Sequence, residues 1–135
     1  MMNPTVLVVD DEAAMRNLLR RCLKCWDYDI REAPTAIDAL EMMLADPASV
    51  MLCDLTLPDH DGLWLIERVR AKWPMTAIIV ASGADDMEVM LKCRRAGAVD
   101  YVLKPFGREL LQQALQRAHI AISSRPTFPL WTTQP

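Results

Sequence analysis

The stretch Thr5-Val6-Leu7-Val8-Val9-Asp10-Asp11-Glu12, TVLVVDDE, holds both the fold and the chemistry of this chain in outline. Residues 5–9 are β-branched or leucine with no polar side, so a strand built from them is apolar on both faces. Parallel sheets covered by helices on both sides need strands of that kind. The run then stops at two or three adjacent carboxylates, which disfavour one another's ionised forms. A positive partner is expected beside them.

Working outward, short apolar runs alternate with longer segments of helical period. Strands are expected near 5–9, 28–32, 50–53, 77–81 and 100–103, and helices near 12–25, 35–45, 62–72, 85–95 and 107–122. Met15, Leu18, Leu19, Cys22 and Leu23 mark one apolar stripe on the first helix, and Leu111, Leu115, Ala118 and Ile122 mark another on the last. Five βα units with right-handed crossovers give an α/β, doubly wound five-stranded parallel sheet, (βα)5. At Ser123 the composition changes: SSRPTFPLWTTQP has three prolines and no period, so 1–122 is read as the domain and 123–135 as a linker or C-terminal tail.

The chain has 135 residues, 52% of them apolar, which suits one domain with a real core. A net charge of −3 without any Lys/Arg run argues against direct nucleic-acid binding by this segment and against attraction to acidic membranes. No apolar run approaches the ~20 residues of a membrane span and no signal-peptide pattern opens the chain, so a cytoplasmic location is expected. Cys22, Cys25, Cys53 and Cys93 sit in apolar patterns and read as small buried hydrophobes. The Cys22-x-x-Cys25 pair lies in a helical pattern with no second pair to complete a zinc site. His60 and His119 read as solvated, and Met42, Met43, Met87 and Met90 as core filler or surface scatter.

In a doubly wound sheet, ligands bind outside the carboxyl ends of the strands. Those ends are Asp10-Asp11, Asp54, Ser82-Gly83 and Lys104-Pro105. Three carboxylates, a hydroxyl, a glycine backbone and a lysine thus converge on one edge. Clustered carboxylate oxygens suit a hard divalent cation such as Mg²⁺ (or Mn²⁺), which would offset their repulsion.

The motifs VLVVDDE, LCDLTLPDHDG, IIVASG and AGAVDYVLKPF, in this order and at these strand ends, resemble the receiver domain of two-component (His–Asp phosphorelay) response regulators. The resemblance covers about residues 4 to 122. It implies a flavodoxin-like sheet of order 2-1-3-4-5 and assigns Asp54 as phosphoacceptor. Asp10, Asp11, Asp54 and the Thr56 carbonyl become metal ligands, Ser82 and Lys104 with the Gly83 and Thr56 backbone bind the phosphoryl oxygens, and Tyr101 becomes the switch aromatic partnered with Ser82. It also implies a cis Lys104-Pro105 bond. Serine stands at 82 where threonine is commoner, and Asp27 and Ala36 where glycine often stands.

The function so implied is a phosphorylation-dependent signalling switch. Its expected partners are a sensor histidine kinase or phosphotransfer protein, an output domain in cis after residue 122 or a separate partner protein, and a phosphorylation-dependent dimer. The chain is then no enzyme beyond self-phosphorylation and self-dephosphorylation. Two other classes remain open. A Mg-dependent aspartyl-phosphate phosphatase would typically carry a second aspartate where Thr56 stands. A phosphate-independent interaction module would have no need of the full constellation. Pro58 and Gly62 are read as turn residues only.

Overall fold

Thr5–Val9 forms the first strand, β1, and the residues on its two sides enter different cores. The computed structural model describes residues 3–123. In chain order the elements are β1, α1 (Ala13–Cys25), β2 (Asp29–Ala33), α2 (Ala36–Ala45), β3 (Val50–Cys53), α3 (Gly62–Lys72), β4 (Ala77–Ser82), α4 (Met87–Ala96), β5 (Asp100–Leu103) and α5 (Arg108–Ser123). Among the described residues, five strands make one sheet in the order β2-β1-β3-β4-β5. Every pairing is parallel. This is the doubly wound order of the flavodoxin-like fold.

The pleat sorts the strands residue by residue. Leu7 and Val9 of β1, Met51 and Cys53 of β3, and Ile78 and Val80 of β4 pack with Met43, Leu65, Ile66 and Val69 on the side of α2, α3 and α4. Val6, Val8, Val50, Leu52, Ile79 and Val102 pack with Leu19, Leu23, Leu111 and Leu115 on the side of α1 and α5. Each residue of β3 and β4 is buried. The expectation of strands apolar on both faces holds for these two and for Val6–Val9 of β1.

The structure corrects several details. β2 runs over Asp29–Ala33, one residue later than expected. α4 begins at Met87 because Asp86 is its N-cap, accepting the Glu88 N–H at 2.9 Å. α5 continues through Ser123, one residue past the expected boundary, and the tail from 124 lies outside the described residues. Leu18 is 55% exposed. It lies about 100° round the helix from Leu19, on the margin of a stripe centred on Leu19 and Leu23. Cys53 and Cys93 are buried, but Cys22 is half-buried and Cys25 exposed.

Neither histidine is simply solvated. The His119 Nε2 and the Tyr28 hydroxyl lie 2.6 Å apart, and the His60 ring stacks on Trp64 at 3.6 Å. Asp27, at a place where the resemblance would often put glycine, takes φ 63° as α1 gives way to β2. A short polar side chain tolerates that left-handed backbone.

Candidate functional site at the carboxyl edge of the sheet

Asp10, Asp54 and Lys104 each stand one step beyond a strand, and the ladder reaches that far. The Asp10 N–H donates to the Ala33 carbonyl at 3.1 Å, the Asp54 N–H to Val9 at 2.9 Å and the Lys104 N–H to Ser82 at 2.8 Å. The sheet itself therefore fixes the backbone from which these three side chains project.

The side chains meet. Lys104 Nζ lies 2.7 Å from Asp10 Oδ2 and 3.1 Å from Asp54 Oδ2. Asp10 and Asp54 are both buried, whereas Asp11 is exposed. Burial pulls the Lys104 pKa down, but its hydrogen bonds to the two carboxylates outweigh this and hold it above the ordinary lysine value. The ammonium is the positive partner that the opening stretch called for. Asp10 is braced further: its Oδ1 accepts the Glu12 N–H at 2.9 Å and its carbonyl accepts from the Arg16 guanidinium at 2.7 Å. Asp54 Oδ1 accepts the Thr56 N–H at 3.2 Å.

One ammonium pairs with two of the three carboxylates, Asp10 and Asp54. Ligand oxygens of Asp10, Asp11 and Asp54 all lie within 4.8 Å of one another. Opposite oxygens of a Mg²⁺ octahedron stand about 4.2 Å apart. An all-oxygen set of this span, open on the Asp11 side, fits a small hard cation.

Asp11, Asp54, Thr56, Ser82, Gly83 and Lys104 line one open cleft. Ser82 is buried, and its Oγ accepts the Ala84 N–H at 3.2 Å. Tyr101 donates its hydroxyl to the Ala84 carbonyl at 2.6 Å. Burial pushes the Tyr101 phenol up, so it stays a protonated donor. A Cβ on Gly83 would meet nothing within 4 Å. Gly83 lines the cleft, and the space at its Cβ position is not consumed by the protein's own packing. The Lys104-Pro105 bond is cis.

The constellation assembled from strand ends is therefore one cluster in space. Sequence reasoning missed its supports. Arg16 touches Asp10 and also pairs with Glu32 at 3.4 Å, which no spacing announces. Gly62 is more than a turn residue: a Cβ there would stand 2.3 Å from the Asp54 carbonyl oxygen and 2.7 Å from the Leu55 Cα. The start of α3 is pressed against the backbone of Asp54 itself.

The family model for the response regulator receiver domain matches residues 6–116. The chain belongs to that family. The receiver is 29% identical over 113 residues to the transcriptional regulatory protein ZraR of Salmonella typhimurium, covering 84% of this chain and 26% of that protein. It is 33% identical over 114 residues to a cyclic di-GMP phosphodiesterase of Thermotoga maritima, covering 84% of this chain and 30% of that one. It thus spans less than a third of either relative. The crystal structure of a CheY-like response regulator receiver domain protein from Methanospirillum hungatei superimposes with a TM-score of 0.85 at 25% identity, covering 91% of this receiver and 99% of that chain. Among the described residues, no helix is long and apolar enough to cross a membrane.

Proposed function

We propose that this receiver is a phosphorylation-operated switch in cytoplasmic His–Asp signalling, with Asp54 as the phosphoacceptor. The observation that carries the reading is the position of Asp54: buried, fixed by the sheet, 3.1 Å from the Lys104 ammonium and within the span of two further carboxylates. A carboxylate oxygen of Asp54 attacks the phosphorus of a phosphohistidine on a sensor kinase or phosphotransfer protein. The P–N bond breaks, its electron pair leaves on the imidazole, and an aspartyl phosphate forms. Water later attacks the same phosphorus, releasing inorganic phosphate and restoring the carboxylate. That slow hydrolysis is the only turnover.

Phosphoryl transfer is mainly positioning and charge stabilisation. Lys104 supplies a cation to the phosphoryl oxygens, while the Ser82 hydroxyl and the Thr56 and Gly83 backbone donate to them. Mg²⁺, or Mn²⁺, would be held by Asp10, Asp11, Asp54 and the Thr56 carbonyl, and would neutralise charge on the transferring group.

Output runs through Ser82 and Tyr101. When the Ser82 hydroxyl turns to the phosphoryl group it gives up the Ala84 N–H, and Ala84 is the residue whose carbonyl holds the Tyr101 ring. Tyr101 borders a groove of Met87, Met90, Leu91, Arg94 and Val99, in which Met87 is 67% and Leu91 41% exposed. This α4/β5/α5 face is the surface offered to an output domain following residue 122, to a partner protein or to a second copy in a phosphorylation-dependent dimer.

The test is labelling by acetyl phosphate with Mg²⁺. The parent is expected to take up one phosphoryl group and Asp54→Asn none, since an amide is not a nucleophile. An Asn variant labelled as fast as the parent overturns the assignment.

A further inference from the structure

We propose that Asp59 is a positioning residue of this site, latching the loop that carries Thr56 onto the first turn of α2. Asp59 lies in the segment between β3 and α3, and neither the strand ends nor the motifs assign it a role. Its two carboxylate oxygens accept from two backbone amides of a different element: Oδ1 from the Ala36 N–H at 2.9 Å and Oδ2 from the Ile37 N–H at 2.9 Å. These amides are among the four that a helix start leaves without internal partners. The carboxylate also sits at the positive end of the helix dipole. Burial works to raise the Asp59 pKa, yet the backbone hydrogen bonds, with Ala36 and Ile37 foremost, outweigh it and hold the group below the usual carboxylate range. It is therefore ionised wherever the protein is folded near neutrality, the form that can accept at both oxygens.

The latch matters because of where the loop is otherwise held. At its far end the Gly62 N–H donates to the Leu55 carbonyl at 2.7 Å, closing residues 55–62 into a ring. Asp61 caps α3 through the Trp64 N–H at 2.8 Å, which again concerns only the loop's own helix. Thr56 lies between the Leu55–Gly62 closure and Asp59. Of the side-chain hydrogen bonds made by the Asp59 and Asp61 carboxylates, those of Asp59 cross to another element and fix the outer arm of the ring in space. Its role rests on the reading of Thr56 as a metal ligand through its carbonyl: Thr56 is otherwise held by its own N–H on Asp54 at 3.2 Å and by Leu55 and Leu57 against the core, and a ligand carbonyl whose outer arm is unlatched must be ordered further each time the ion binds.

A control is built into the same helix. Thr35, the N-cap of α2, accepts the Asp38 N–H on its side chain at 3.0 Å and makes no hydrogen bond to the loop. Thr35→Ala and Asp59→Asn each remove a cap from α2, but only the second releases the loop. Backbone hydrogen exchange and calorimetric titration with Mg²⁺ alone separate them. Asp59→Asn is expected to speed exchange both at residues 36–38 and across 56–61, and to weaken Mg²⁺ binding roughly tenfold, the low end for losing a partner that orients a ligand. Thr35→Ala should speed exchange in the first turn of α2 and leave 56–61 and Mg²⁺ affinity as in the parent. If Asp59→Asn binds Mg²⁺ as the parent does, or if its exchange changes stop at α2, Asp59 is merely a helix cap and the inference is wrong. A parent that binds no Mg²⁺ overturns instead the reading of the site, while the exchange across 56–61 still decides whether the latch exists.

Discussion

Lys104 reaches Asp10 more closely than Asp54, at 2.7 Å against 3.1 Å. The ammonium is thus shared between a residue proposed as a metal ligand and the proposed phosphoacceptor, and it stands where a cation would otherwise neutralise them. Lys104→Ala leaves two buried carboxylates without their partner, a loss of about 1–3 kcal/mol by the cost of unsatisfied buried acceptors. In urea denaturation the variant should be less stable than the parent without Mg²⁺ and recover most of the difference with excess Mg²⁺, to which it should bind more tightly. Beryllofluoride should then fail to produce the parent's spectral change. A variant whose stability deficit ignores Mg²⁺ contradicts this account of the charge balance.

Gly62→Ala tests whether the start of α3 must touch the Asp54 backbone. The added Cβ meets backbone atoms, which have no rotamer to yield. Overpacking of this kind costs typically about 1–3 kcal/mol. Thermal melts should show the loss, and acetyl phosphate labelling should slow with it because the displaced atom is the Asp54 carbonyl. Full labelling rate in a destabilised variant would separate the two effects and defeat the second half of the prediction.

Tyr101→Phe removes the hydroxyl that holds the Ala84 carbonyl at 2.6 Å, a net loss of about 1 kcal/mol for one hydrogen bond. In the parent, beryllofluoride should alter hydrogen exchange in residues 82–106 more than in α2. The Phe variant should still bind beryllofluoride but show a reduced change there. Equal change across the domain in the parent would leave Asp54 an acceptor without a switch.

Lys104 and Asp59 give opposite signatures with pH. Lys104 is raised when folded, so its contribution is complete below the unfolded lysine value of about 10.4 and disappears as pH climbs through the folded value. Asp59 is lowered when folded, so its contribution is present above about 3.9 and disappears as pH falls through the folded value. The stability gap between parent and Lys104→Ala should therefore close as pH climbs through the folded Lys104 value, and that between parent and Asp59→Asn as pH falls through the folded Asp59 value. Urea midpoints measured across pH check both.

Much of this was legible in the sequence because it depends on local pattern. TVLVV and AIIVA can be buried on both faces only in a covered sheet, and the residue that follows such a strand is placed on its edge by the chain itself. Asp10, Asp54, Ser82 and Lys104 were found in that way. Asp59 and the Tyr28–His119 pair were not, because each joins elements distant in sequence, and Arg16 was not, because the period of α1 does not say what its long side chain reaches. Leu18 was misread for a related reason: a periodic stripe shows which face of a helix is apolar but not how far the sheet extends beneath its edge.

The pleat places Tyr101 and Val102, neighbours in β5, against opposite cores: Tyr101 beside the cluster under α2, α3 and α4, Val102 within the cluster under α1 and α5. The Tyr101 ring thus touches one layer, and a turn of it under the proposed function would act on that layer first. On the switch reading, a displacement starting at Asp54 would reach the α4 wall through Tyr101 while Val102 keeps β5 seated against α5, so the α4/β5/α5 face would change its relief by one wall shifting along a standing one instead of by a general loosening.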